Sequence, residues 1–200
     1  MLTVITGPMF SGKSIELIRQ VNRHKVAGKR VIVFNFSGDK RYSGTAEAKS
    51  FDGLSTWSIP AASCDEISAR VDAEHEVIVI DEIQFFDDPT IDLLLEYVQS
   101  GKEVIVAGLN LDFRAKPFIF RGSTRTMADI MVHADSIFAL HAICTFKNGH
   151  ICGAPATRTQ RLRDGRPVAA DDPVVQIGSQ ESYEARCIRH HSVAPVTSGI

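Results

Sequence analysis

Gly7-Pro8-Met9-Phe10-Ser11-Gly12-Lys13-Ser14 fits the pattern G-x-x-x-x-G-K-[ST], and it lies between two segments of different character. Before it, Leu2-Thr3-Val4-Ile5-Thr6 is an apolar run that reads as a strand. After it, Lys13 to Ala27 carries Ile15, Leu17, Ile18 and Val21, reads as a helix, and meets Gly28 as a stop. A glycine turn ahead of a helix also arises by chance, but a strand before and a helix after are the setting a phosphate-binding loop requires. There Gly7 and Gly12 let the backbone curl until successive N–H groups face one anion, and the positive end of the helix dipole adds to that field. All eight residues, Gly7 to Ser14, are expected to cradle a nucleotide polyphosphate. Lys13 would reach the β and γ phosphates, and Ser14 would hold magnesium through its hydroxyl.

Working outward, Arg30 to Phe36 is a nearly continuous apolar run, as expected for a strand covered on both faces. The polar stretch from Ser37 to Ser58 reads as loop, and Cys64 to Ala73 as a short helix. Glu76 to Asp81 is a third buried strand, Asp92 to Ser100 a helix closed by Gly101, and Glu103 to Ala107 a fourth strand. A helix over Thr124 to Ala134 and a fifth strand over Ser136 to Leu140 complete the pattern. Strands alternating with helices predict parallel pairing, with helices on both faces. The fold class is α/β, with residues 1–140 as a nucleotide-binding domain. From His141 the chain turns to short pieces and metal-type side chains, which suggests a small second domain over residues 141–192. Val193 to Ile200 reads as a loose tail.

Composition narrows the function classes. The 200 residues are 44% hydrophobic and 23% charged, which is ordinary for a globular chain, and the net charge of -2 offers no broad basic surface for nucleic acid or anionic lipid. No run approaches a membrane span, and no charged, apolar, cleavable leader precedes the first strand, so a cytoplasmic protein without nucleic-acid or membrane partners is expected. Of the four cysteines, Cys64 reads as a small buried apolar residue, while Cys144, Cys152 and Cys187 gather near His190 and His191. In a reducing compartment such a set reads as metal ligation before disulfide bonding.

Asp81-Glu82 ends the third strand, where ligands of open α/β sheets bind. Two solvated residues at a strand end are the plain alternative. Beside a phosphate loop, Asp81 would face magnesium and Glu82 would accept a proton from whatever attacks the γ-phosphate, either water or a substrate hydroxyl.

Several separated motifs resemble those of the cytosolic, zinc-containing thymidine kinases. They are Gly7 to Ser14, then Asp81-Glu82-Ile83-Gln84-Phe85-Phe86, Ala107 to Phe118, Ala156-Thr157-Arg158-Thr159-Gln160-Arg161, Ile177 to Tyr183, and the Cys187 cluster. The resemblance covers nearly the whole chain and implies a P-loop NTPase-type sheet with a small zinc-binding lasso domain. It implies transfer of phosphate from ATP to the 5′-hydroxyl of thymidine or deoxyuridine, with Mg²⁺, a structural Zn²⁺ and Glu82 as general base. Lys13 and Arg41 would neutralise phosphate charge, and Asp39 would help with magnesium. Positions matching the nucleoside pocket are Met9, Leu109, Phe118, Thr159 and Tyr183, with backbone groups near Ile177 and Gly178 reading the base edge. The segment from Arg161 to Gly178 resembles a loop that closes over the nucleoside. Assembly as a homotetramer and feedback inhibition by dTTP are implied in the same way.

Residue type adds to the pocket. Met9, Phe85, Leu109, Phe113, Phe118 and Tyr183 fall in loops or at strand ends, and aromatic faces suit a flat pyrimidine, although each alone is more often plain packing. Cys144, Cys152, Cys187 and His190 are the expected zinc ligands, and four of them leave no open position for catalysis. Cys187-Ile188-Arg189-His190 has the tight spacing of a metal knuckle. The first pair departs from the family pattern, with Thr145 to Ile151 between Cys144 and Cys152, and this leaves His150 or His191 as a candidate substitute. Two other readings stay open at this stage: an ATPase in which Glu82 activates water, and a zinc-ribbon binding module on a non-catalytic nucleotide fold.

Overall fold

The chain runs through β1 (Leu2–Thr6), α1 (Lys13–Val26), β2 (Val31–Phe36), β3 (Glu47–Lys49), β4 (Ser55–Trp57), β5 (Ile59–Ala61), α2 (Cys64–Ser68), β6 (Val77–Asp81), α3 (Pro89–Gln99), β7 (Glu103–Gly108), α4 (Met127–Met131) and β8 (Ser136–Ala139). The structure is a computed structural model and describes residues 1–37, 47–49, 55–175 and 182–196. Six strands form one sheet in the order β5-β2-β6-β7-β1-β8, every neighbouring pair parallel.

Continuous apolar strands are required here because helices cover both faces. On one face Ile5, Val33, Val77, Val79, Ile105 and Ala107 pack against Leu17 and Val21 of α1. On the other, Val4, Ile32, Phe34, Ile78, Ile80, Val104 and Val106 meet Ile67 of α2, Ile91 and Leu94 of α3, and Met127 and Ile130 of α4. Each such side chain, fully buried, stabilises the fold by about 1.5–3 kcal/mol relative to exposure. The expected α/β sheet flanked by helices is the one found.

Several boundaries differ from expectation, each for a local reason. Within the stretch read as loop, β3 and β4 pair antiparallel, and β5 adds a sixth strand beside β2. Three-residue strands carry too little periodicity to register, and Pro60 argues against a strand except at a sheet edge, which is where β5 lies. Helix α2 stops at Ser68, and α3 begins at Pro89, whose missing N–H is no loss in a first turn. Helix α4 is reduced to five residues and begins at a capping box, in which Thr126 accepts from the backbone while Asp129 accepts from the Thr126 N–H.

The C-terminal part is built from short antiparallel pairs: β9 (Ala142–Ile143), β10 (Lys147–Asn148), β11 (His150–Ile151), β12 (Pro155–Ala156), β13 (Arg158–Arg163), β14 (Arg166–Pro167) and β15 (Ser182–Arg186). Among the described residues, its apolar cluster has the small side chains Ala142, Cys144, Ala156, Ala185 and Cys187 as buried members, a modest core for such a piece. Two expectations of loose chain are modified. The segment beginning at Arg161 opens as a hairpin, with β13 central between β14 and β15. At the start of the expected tail, the Ala194 N–H donates to the Val168 carbonyl at 3.0 Å and the Ala194 carbonyl accepts from Ala170 at 3.1 Å, so backbone pairing holds the chain at Ala194.

Candidate active site and metal cluster

The phosphate loop leaves β1 at the carboxyl edge of the sheet. Gly7 has φ +151°, and a Cβ there would lie 2.4 Å from the Leu140 carbonyl oxygen, so no side chain fits. Gly12, at φ +83°, turns the chain into α1. Pro8 is buried, Met9 partly so, and Phe10 is exposed, with a positive φ of 66°. The Ser11 hydroxyl donates to the Pro8 carbonyl at 2.8 Å, and the Lys13 ammonium donates to the same oxygen at 2.9 Å. Burial pulls the Lys13 ammonium below its ordinary range, while the Glu82 and Asp81 carboxylates act in the opposite sense.

Across from the loop, β6 delivers Asp81 and Glu82. The Ser14 hydroxyl donates to Asp81 Oδ2 at 3.3 Å, and the Glu82 N–H donates to Asp81 Oδ1 at 2.9 Å. Burial, with the Glu82 carboxylate beside it, pushes the Asp81 carboxyl well up, against the pull of the Glu82 N–H, Lys13 and Ser14. A divalent cation would relieve that cost, and a hydroxyl next to a carboxylate is a suitable oxygen donor set for magnesium. Lys13, Ser14, Asp81 and Glu82 thus meet at one end of the sheet.

Glu82 has φ 54° and ψ 40°, a left-handed conformation unusual outside glycine, and it begins a 3-10 turn over Ile83–Phe85. Its carboxylate accepts from the Gln84 amide at 2.6 Å, and the Gln84 oxygen accepts from the Leu109 N–H at 3.1 Å. Gln84 falls within a motif visible in the sequence, but no role for it is legible there, because its position two residues beyond Glu82 gives no sign of which way the amide turns.

Of the expected nucleoside residues, Phe85 and Phe118 meet edge-on with centroids 5.7 Å apart, Phe85 also touches Phe36, and Leu109 packs in the same cluster. Met9 and Thr159 are joined by a hydrogen bond. Phe113 is set apart from these contacts: it is buried, with the guanidinium groups of Arg161 at 5.1 Å and Arg114 at 5.8 Å from its ring centroid. Arg161 is itself wholly buried and donates to the Pro173 carbonyl, a packing role its polar type conceals in sequence. Tyr183 lies in β15, opposite Arg161 of β13. Arg41, Asp39, Ile177 and Gly178 lie outside the described residues.

Cys144, Cys152, Cys187 and His190 offer ligand atoms that all lie within 4.8 Å of one another. His190 Nδ1 is 3.6 Å from Cys144 Sγ and 3.4 Å from Cys187 Sγ. Tetrahedral zinc with ordinary Zn–S and Zn–N bonds sets its sulfur and nitrogen about 3.6 Å apart, so the donor set fits that ion. The wide first spacing is absorbed by the β10–β11 hairpin. Gly149 turns it at φ +77°, and the Cys152 N–H donates to the Phe146 carbonyl at 2.9 Å, bringing the second sulfur back. Neither substitute joins the cluster: His150 is exposed on β11, and His191 Nε2 bonds the Phe113 carbonyl oxygen at 2.8 Å. Phe146 stacks on the His190 ring, centroids 4.2 Å apart, and Arg186 lies over Phe146. Among the described residues, no helix is long and apolar enough to cross a membrane.

A sequence model of the family described as "Thymidine kinase" matches residues 1–191. The chain is 45% identical over 198 residues to a thymidine kinase of Pyrobaculum aerophilum, an alignment covering 98% of this chain and all of the relative. It is 46% identical over 202 residues to a thymidine kinase of Deinococcus deserti, covering 96% of this chain and 94% of the relative.

Proposed function

We propose, because this chain belongs to the thymidine kinase family, that it transfers the γ-phosphoryl group of ATP to the 5′-hydroxyl of thymidine or deoxyuridine, with Glu82 as general base. The 5′-oxygen forms a bond to the γ-phosphorus, the bond to the β,γ-bridging oxygen breaks, and ADP leaves with that electron pair. The hydroxyl proton passes to the Glu82 carboxylate, since the alcohol needs an acceptor as its oxygen becomes bonded to phosphorus.

One observation carries this reading: the glycine-rich turn and the acidic strand end are in contact through Ser14 and Asp81, with Lys13 under the influence of both acidic residues. Lys13 binds and orients the transferring phosphate. Ser14 and Asp81 would hold Mg²⁺, which when bound would supply positive charge to offset that of the phosphates. Met9, Phe85, Leu109, Phe118, Thr159 and Tyr183 would present mostly apolar walls to the pyrimidine, and Arg41 would add charge at the phosphates. Residues 1–140 would then act as the ATP-binding part. Residues 141–192, held by Zn²⁺ at Cys144, Cys152, Cys187 and His190, would close on the nucleoside.

The test is product analysis after incubation with magnesium-ATP and a panel of deoxynucleosides. Thymidine monophosphate and ADP in equal amounts are expected. Release of inorganic phosphate at the same rate with and without nucleoside would overturn the reading in favour of an ATPase.

A further inference from the structure

Glu82 is a long, flexible side chain on a left-handed backbone, and a base must be held within hydrogen-bond reach of the proton it takes. The backbone around it is fastened: the Phe85 N–H donates to the Glu82 carbonyl at 3.1 Å, and the Glu82 N–H is held by Asp81. Those bonds fix the Cα but leave the carboxylate free to swing. Among the described residues, the side-chain donor that reaches the carboxylate is Gln84, at Oε2.

Gln84 is 1% exposed, and its amide has one orientation open to it. The Leu109 N–H can only donate, so the amide oxygen faces it, and the amide nitrogen then faces an ionised carboxylate that can only accept. No single apolar or charged side chain satisfies both neighbours. The room for this amide comes from Gly108, where a Cβ would lie 2.4 Å from Gln84 Oε1 and 2.8 Å from Ile83 Cγ2. Gly108 is itself fastened to the strand leading into the phosphate loop, its carbonyl accepting from the Thr6 hydroxyl at 3.1 Å.

We propose that Gln84 is a positioning residue for phosphoryl transfer: its amide clamps Glu82 Oε2 to the Leu109 backbone, leaving Oε1 to receive the nucleoside proton. The inference rests on the reading of Glu82 as base. Leu109 belongs to the expected nucleoside wall, so the same amide registers the base against the wall that positions the sugar. A base allowed to rotate among rotamers spends less time within reach of the hydroxyl, and the loss falls on the chemical step rather than on binding.

A double-mutant cycle tests this. Single-turnover transfer rates and thymidine KM are measured for the parent, Q84M, E82Q and Q84M/E82Q, with folding followed by thermal melting. Q84M keeps length and volume but loses both bonds, and its transfer rate should fall about tenfold or more with KM changed less than about threefold. In the E82Q background the same replacement should cost less than about twofold, because a residue acting through Glu82 has nothing left to position. An equal fold-loss in both backgrounds, or a Q84M rate close to the parent while E82Q collapses, overturns the role of Gln84 and leaves the base intact. Parental activity in E82Q removes the base itself. If Q84M does not fold, Q84E carries the same cycle. It keeps an acceptor for the Leu109 N–H, should lose rate in the parent background, and should lose none in the E82Q background, where the amide introduced by E82Q donates to it. A Q84E loss of equal size in both backgrounds overturns the proposal.

Discussion

The Met9 N–H donates to the Thr159 hydroxyl oxygen at 3.0 Å, tying the phosphate loop to β13 across 150 residues of chain. Thr159 is buried, and Met9 sits in the middle of the glycine-rich turn. Thr159→Val keeps the shape and removes the acceptor, leaving a partly buried N–H unpaired at a cost of about 1–3 kcal/mol. A lowered melting temperature and a raised thymidine KM are expected, with Thr159→Ser restoring both. A valine variant with parental melting and KM would show that the bond carries no weight.

Lys13 is partly buried, lies under the electrostatic influence of Glu82 and Asp81, and has no other cation beside it in the loop. Lys13→Ala should abolish phosphoryl transfer while the thermal melt stays near the parent's, since among the described residues the ammonium's hydrogen bond goes to the nearby Pro8 carbonyl. Near-normal turnover in the purified variant is the outcome that contradicts its role at the phosphates.

Elemental analysis should find about one zinc per chain. The buried core around Cys144 and Cys187 consists of small residues, so a bound metal would supply what packing there does not. Cys187→Ser should lose the metal and expose β13 to β15 to limited proteolysis, read as cleavage in the C-terminal part with residues 1–140 intact. Retention of zinc at parental stoichiometry in this variant counts against the four-ligand site.

Acid stability has a local source. Hydrogen bonds from Arg125 first, and then Ser123, hold the Asp88 carboxyl down to about 2, against an ordinary value of 3.8. A depressed carboxylate favours the folded state above its unfolded value and loses that advantage as pH falls through the folded value. The pair's contribution is therefore complete above about pH 4 and gone near pH 2. Urea midpoints of Asp88→Asn should lie below the parent's at pH 5 and converge with them toward pH 2. A gap that stays constant over this range would place the effect elsewhere.

Much of the fold was legible because its signals are local. The buried strands at Leu2–Thr6, Val31–Phe36, Val77–Asp81 and Glu103–Gly108 are continuous apolar runs that need no partner to be recognised. The metal cluster was legible from residue type, although not its route: the widened Cys144 to Cys152 interval closes through a hairpin turned at Gly149. Strand β5, three residues with a central proline, was illegible because only its place beside β2 makes it a strand.

The places of Gly7 to Ser14 at a strand-to-helix turn and of Asp81 and Glu82 at a strand end were legible in the sequence alone, because both signals lie within a few residues. Tertiary structure decided which of them meet and what holds them: Ser14 against Asp81, Met9 against Thr159, and the Gln84 amide between Glu82 and Leu109. Those pairings join strands distant in the chain, and a side chain's hydrogen-bond direction is set by what the sheet packs against it, which no local pattern of residue types records.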